Sequence, residues 1–236
     1  MKIKLLGTGS FNAKSACASA MIDDVILFDP APETLKKMAA MGVHKTLKVI
    51  VVSHFHADHD FDMPTVLTHV TEPVTIIAPH GALTRYRTLC ALAHFPGASA
   101  MIEKSNVVEI DKNEIANGIE INGYKIQPVP IDHSPRLDCY GYTITKDGKQ
   151  AAFSGDTYLC DGVHTLLKNA ALAFLDITGP APAGKSQVHM DIPEYEQLKK
   201  KYPKCRIIAT HMSDDTREKL ANLGHQPPND NEEYEV

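Results

Sequence analysis

Residues Val51 to Asp62 read VVSHFHADHDFD. Three histidines and three aspartates crowd the end of LKVIVV, an apolar run rich in β-branched residues that reads as a buried strand. Within the stretch, His54, His56, Asp58 and His59 form the pattern H-x-H-x-D-H. Where a chain leaves a strand, alternate residues point the same way, so His54 and His56 can share one metal ion. Asp58 and His59, beyond the bend, then face a second. A merely histidine-rich polar loop has no reason to set four ligating side chains at this spacing on the mouth of a buried strand. Asp60 and Asp62 are left without a ligand role.

The same arrangement recurs downstream. His133 follows QPVPI, Asp156 follows AAFSG, and His211 follows RIIAT. Each is a ligating residue placed where an apolar strand leaves the core. Any one of them alone reads as a loop residue. With the first motif they complete two sets: His54, His56 and His133 for one ion, and Asp58, His59 and His211 for the other. Asp156 bridges the two through its separate oxygens.

Around these residues β-type runs alternate with helical patterns. Strands are expected at IKLL near Lys4, at ASAMI, VILF and LKVIVV, and at Val74–Ile77, Tyr124–Ile131, Tyr140–Ile144, Ala151–Phe153, Ala171–Ile177 and Cys205–Thr210. Helical spacing predicts Pro32–Met41, Gly81–Phe95, Val163–Asn169 and Ile192–Lys201, the last capped by Asp191. This order gives one α/β domain over residues 1–226, with two sheets inside and helices outside. The acidic tail, residues 227–236, is expected to fray. The apolar face of Leu83–Phe95 is read as core in preference to a homodimer face.

The 236 residues are 43% hydrophobic and 22% charged, with a net charge of −5. That is a globular balance, without the basic field that advertises a long nucleic-acid partner. A small phosphorylated substrate is compatible with it, because bound cations supply local positive charge. No apolar run reaches the length of a membrane helix, so no membrane partner is expected. MKIKLLGTGS reads as a first strand and not as a signal peptide. The five cysteines are scattered without a C-x-x-C pair, which points to reduced thiols and a cytoplasmic location.

HFHADH, the histidine of IDHSP, the aspartate of SGDT and the histidine of ATHMS, with LLGTGS ahead of them, resemble the ordered motifs of the metallo-β-lactamase superfamily. The resemblance runs from about Lys2 to His211. It implies an α/β fold of αββα form, a sandwich of two mixed β-sheets flanked by helices, with a dinuclear site along one edge. It also implies a hydrolase with two divalent metal ions, Zn2+ by default, with Mn2+ or Fe able to use the same ligands. FDPAP, and the acidic FDM that follows the histidine motif, stand where this family often has glycine.

Bridging Asp156 suits hydrolases of phosphodiesters and thioesters, and too little chain follows His211 for the helical substrate domain of a glyoxalase-II thioesterase. His189, in GKSQVHMD, falls where phosphodiesterases of the superfamily, tRNase Z among them, carry a histidine that is not a ligand. By that resemblance His189 stabilises the phosphorane and protonates the leaving oxygen, and Asp58 doubles as orienter of the nucleophile's proton. The implied reaction is in-line attack on phosphorus by a hydroxide bridging the ions. The chain looks more like the compact cyclic-phosphate phosphodiesterases of the carbon–phosphorus lyase pathway, because the His133–Asp156 interval is too short for a tRNA-gripping arm. Their cysteine-rich zinc cluster is missing, since Cys17 stands alone. A small or cyclic phosphodiester is therefore favoured over RNA. A thioester or lactone hydrolase is the alternative enzyme, and a non-catalytic binding module, which would show degenerate ligands, is the remaining class. Lys14, Arg136 and Lys185 lie in nearby loops and read as solvated charge.

Overall fold

The computed structural model describes residues 1–111, 118–179 and 188–236. The first half runs β1 (Lys2–Gly7), β2 (Ser19–Ile22), β3 (Ile26–Phe28), α1 (Thr34–Met41), β4 (Val49–Val51), α2 (Ala57–Asp60), α3 (Met63–His69), β5 (Thr75–Pro79), α4 (Ala82–Leu92), α5 (Pro96–Lys104) and β6 (Asn106–Ile110). The second runs β7 (Ile119–Ile121), β8 (Tyr124–Pro130), β9 (Tyr140–Lys146), β10 (Lys149–Phe153), α6 (Asp161–Leu167), β11 (Leu172–Asp176), α7 (Ile192–Lys201), β12 (Arg206–Thr210), α8 (Asp214–Asn222) and β13 (Glu233–Glu235). One sheet has the order β13-β1-β2-β3-β4-β5-β6 and the other β12-β11-β10-β9-β8-β7. Both are mixed: β3 to β6 pair in parallel, as do β10 to β12, and the remaining neighbours are antiparallel.

The two-residue period of each strand divides its side chains between two cores. Ile26, Phe28, Val49 and Val51 point into the space between the sheets, where they meet Tyr142, Phe153 and Phe174 of the second sheet. Phe28 stacks on Phe153 with ring centroids 4.8 Å apart. Leu27 and Ile50, one residue out of phase, point outward to Met38 of α1, Val66 of α3, Tyr86 of α4 and Ile102 of α5. On the far side, Ala173 and Leu175 meet Leu166 of α6, Leu198 of α7 and Leu220 of α8. Strands buried on both faces explain the near-continuous apolar runs of the sequence. The result is the αββα sandwich of two mixed sheets that the resemblance implied.

Helix α7 has the bounds that its spacing predicts, and Asp191 caps it reciprocally: Glu194 N donates to Asp191 at 2.9 Å, and Asp191 N donates to Glu194 at 3.1 Å. Helix α4 buries Ala82, Tyr86 and Cys90 against the core, as expected, but it ends at Leu92, and Leu92 and Phe95 at the far end of the expected face are exposed. Helices α2, α3, α5 and α8 and strands β6, β7 and β13 are additional to the sequence reading. Helix α8 buries only Thr216 and Leu220, too few apolar positions for a period to be visible.

The tail corrects one expectation. It does not fray: β13 pairs antiparallel with β1 through Lys2↔Glu235 and Lys4↔Glu233. Its acidic character is complementary, since Glu233 lies 3.1 Å from the Lys2 ammonium and 3.4 Å from that of Lys4. Between the glutamates Tyr234 turns inward and packs edge-on against Phe174 at 5.4 Å. Tyr234→Ala is expected to cost about 3 kcal/mol of stability in urea unfolding; an unchanged midpoint would mean that the tail contributes nothing.

Candidate metal centre

Six strands end at one rim of the sandwich. Asp29 follows β3, Ser53 and His54 follow β4, His133 follows β8, Asp156 follows β10, Asp176 ends β11 and His211 follows β12. Parallel neighbours release the chain on the same side, so ligating residues far apart in sequence converge there. Asp29 and His211 adopt left-handed φ values of 53° and 51°. Each costs roughly 1 kcal/mol in local strain, which the surrounding sheet must hold. Gly155 permits the close approach of β10 to β4, because a Cβ there would lie 2.7 Å from Ser53 Cβ.

All seven residues predicted as ligands come together in two groups that share Asp156: His54, His56, His133 and Asp156, and Asp58, His59, Asp156 and His211. In the first, His56 Nδ1 lies 2.9 Å from His54 Nε2 and 3.1 Å from His133 Nε2. Asp156 Oδ2 lies 3.9 Å and 3.8 Å from the same two Nε2 atoms. In the second, Asp156 Oδ1 lies 3.1 Å from His59 Nε2 and 3.4 Å from His211 Nε2, and Asp58 Oδ2 lies 3.3 Å from His211 Nε2. Ligands about 2.05 Å from a tetrahedral ion are about 3.3 Å apart, so these edges bracket the size of a zinc-type cage.

The outward nitrogens fix the rings. His59 Nδ1 donates to Asp29 Oδ2 at 2.8 Å, His133 Nδ1 to the Val188 carbonyl at 2.8 Å, and His211 Nδ1 meets Thr178 Oγ1 at 2.8 Å. His54 Nδ1 meets Ser53 Oγ at 3.0 Å, and that hydroxyl donates to Asp29. The lone pairs of the inward nitrogens are thereby aimed at the two centres. His59 Nε2 and Asp156 Oδ1 are buried without a hydrogen-bond partner, an expensive arrangement unless a cation sits between such donors. Burial and the neighbouring His59 push the His54 imidazole well below its usual pKa. Burial also opposes charge on His59 and His211, but Asp156, aided by Asp29 and by Asp176 respectively, outweighs it. His59 is held well above its usual value and His211 at about 10. These buried clusters imply divalent metal.

A third group, Asp156, Asp176, His189 and His211, is equally compact. Asp176 differs from Asp156 in having its oxygens occupied. Oδ2 accepts from Thr157 N at 3.0 Å and His189 Nδ1 at 2.7 Å, and Oδ1 accepts from Thr178 N at 3.1 Å and Thr178 Oγ1 at 2.7 Å. A carboxylate has about four lone-pair directions, and here all are used, so Asp176 orients His189 instead of binding an ion. Sequence reading passed over Asp176 and Asp29. The signal was present in Asp176, which ends an apolar strand just as the neighbourhood of Asp156 does.

The two unassigned aspartates have structural partners. Asp60 is fully buried against Arg85, with Nη2–Oδ1 at 2.9 Å, and Asp62 accepts from Leu35 N at 2.9 Å, tying the motif to α1. The Lys14 side chain is 92% exposed, as solvated charge should be, whereas Lys185 lies outside the described residues.

A family described as the beta-lactamase superfamily domain matches residues 25–212. Ribonuclease Z of Mycobacterium bovis (strain BCG Pasteur 1173P2) is 29% identical over 189 residues, covering 72% of this chain and 68% of that protein. The metallo-beta-lactamase fold protein YhfI from Bacillus subtilis superposes with a TM-score of 0.79 at 15% identity, over 100% of this chain and 99% of that one. The short form of human tRNase Z superposes with a TM-score of 0.77 at 17% identity, over 100% and 99%. The match over most of its length, on a fold whose strand ends gather these histidines and aspartates, means that the chain belongs to the beta-lactamase superfamily and is a metal-dependent hydrolase of the metallo-β-lactamase fold.

Proposed function

We propose that the chain is a phosphodiesterase for a small or cyclic phosphodiester, with one divalent ion, zinc by default, in each of the two ligand groups and Asp156 shared between them. One observation carries the choice of reaction: His189 stands beside the shared carboxylate with a proton held in place. Its Nδ1 donates to Asp176 at 2.7 Å, and its ring centroid is 5.0 Å from that of His133 and 5.4 Å from that of His211. Burial opposes charge on this imidazole, but in the metal-free protein Asp176 outweighs burial and raises its pKa above the usual value, and the same hydrogen bond orients the ring. A protonated imidazole at the mouth of the site is a general acid. An alkoxide leaving a phosphodiester needs that proton, whereas a thiolate departs without it, so the Asp176–His189 pair favours phosphodiester over thioester.

Bound divalent ions supply positive charge against the phosphoryl oxygens and a water acidic enough to attack near neutral pH. Asp58, partly exposed at the rim, orients the proton of the attacking water. His189 delivers a proton to the departing alcohol while Asp176 balances its charge. Ribonuclease Z, as its name says, cleaves RNA, and that relative supports the class of bond. The interval from His133 to Asp156 is filled by one short loop and the β9–β10 hairpin, which leaves no arm there to grip a folded RNA. The cleft holding His56, Asp58, His133 and His189 measures about 310 Å³, at the small end of ligand sites.

Two outcomes are expected. His189→Ala should lower kcat on a nucleoside 2′,3′-cyclic phosphate roughly 100- to 10,000-fold with metal content retained. The loss should be far smaller on bis(p-nitrophenyl) phosphate, whose phenolate leaves without a proton. Equal losses on both substrates, or full activity, would remove His189 from the general-acid role. Asp29→Ala should weaken metal binding roughly 10- to 100-fold in competition with a chelator, although Asp29 touches no ion. Because His211 is held at about 10 and must shed its proton to bind metal, affinity should rise with pH between 6 and 8, an interval below that value.

A further inference from the structure

The chemistry above leaves unexplained an apolar feature at the mouth of the same cleft. Seven large hydrophobic side chains are exposed among the described residues, and two of them, Phe11 at 64% and Val188 at 41%, line the cleft that holds His56, Asp58 and His189. A third, Tyr158 at 37%, lines a neighbouring cleft that shares His133. A singly exposed apolar side chain is ordinary, but two on the wall of a reaction cleft form an apolar surface suited to a ligand.

The loop that carries Phe11 is closed at its base. Thr8 N and Gly9 N both donate to the Ala16 carbonyl, at 3.0 Å and 2.8 Å, and Ser10 N donates to the Met212 carbonyl at 3.0 Å, beside His211. From the tail, Asp230 accepts from Thr8 Oγ1 at 2.9 Å and from Ala16 N at 3.0 Å, closing the base of the loop. The ring is therefore carried by a loop whose base is pinned, which limits the backbone entropy lost on binding. No lysine or arginine is among the described residues that line this cleft.

Resting on the phosphodiesterase reading, we infer that Phe11, with Val188, forms a specificity subsite that stacks an uncharged planar ring carried by the substrate's ester group. An aromatic or nucleobase ring is selected there by its π-face.

The test compares adenosine 2′,3′-cyclic phosphate with methyl riboside 2,3-cyclic phosphate on the metal-loaded full chain. The two share one scissile ring and differ only in the base. The wild type should prefer the adenosine compound. Phe11→Ala should cut that preference roughly tenfold, through KM and not kcat, and Phe11→Tyr should keep it. A preference unchanged in Phe11→Ala, an equal loss on both substrates, or no preference in the wild type would overturn the subsite while leaving the phosphodiesterase reading intact. Turnover of neither compound, nor of bis(p-nitrophenyl) phosphate, would overturn that reading and the subsite with it.

Discussion

The buried carboxylate of Asp156 is the constraint on which the rest of the site depends. Each of its oxygens faces a different set of imidazole nitrogens, and one of them has no hydrogen-bond partner. A charge taken out of water costs several kcal/mol unless it is compensated. Protons on His59 and His211 offer partial compensation, as their raised pKa values indicate, and divalent cations offer more. The convergence of strand ends, the left-handed turns at Asp29 and His211 and the glycine before Asp156 all serve to hold that carboxylate between two cages.

Asp156 and Asp176 show how the same residue type acquires two roles. They leave adjacent parallel strands and point into the same centre. Backbone and hydroxyl donors saturate Asp176, which then holds a histidine ring, while Asp156 is denied such donors and keeps its oxygens for the two cages. The distinction lies in which neighbouring N–H groups reach each carboxylate. It is therefore a property of the turn around Thr157 and Thr178, not of the aspartates themselves.

Much of this was legible in sequence because buried strands write themselves as unbroken apolar runs, and a polar ligating residue just past such a run is conspicuous. His54, His133, Asp156 and His211 were found in that way. Asp29 and Asp176 were not, since their importance lies in what they accept from His59 and His189, and hydrogen bonds across roughly one layer leave no local period. Tail and surface elements were hidden for a related reason. Strand β13 offers a single buried residue, Tyr234, and its Glu233 finds its lysine partners at the other end of the chain. Phe11 was equally silent, because one apolar residue in a polar loop acquires meaning only from the cleft it borders.

The most direct test of the two-cage account is anomalous diffraction at the zinc edge from crystals of the zinc-loaded protein. Two peaks are expected, each roughly 2.0–2.2 Å from its ligand atoms, one among His54, His56, His133 and Asp156 and the other among Asp58, His59, Asp156 and His211. A single peak, or one coordinated by Asp176 and His189, would contradict it.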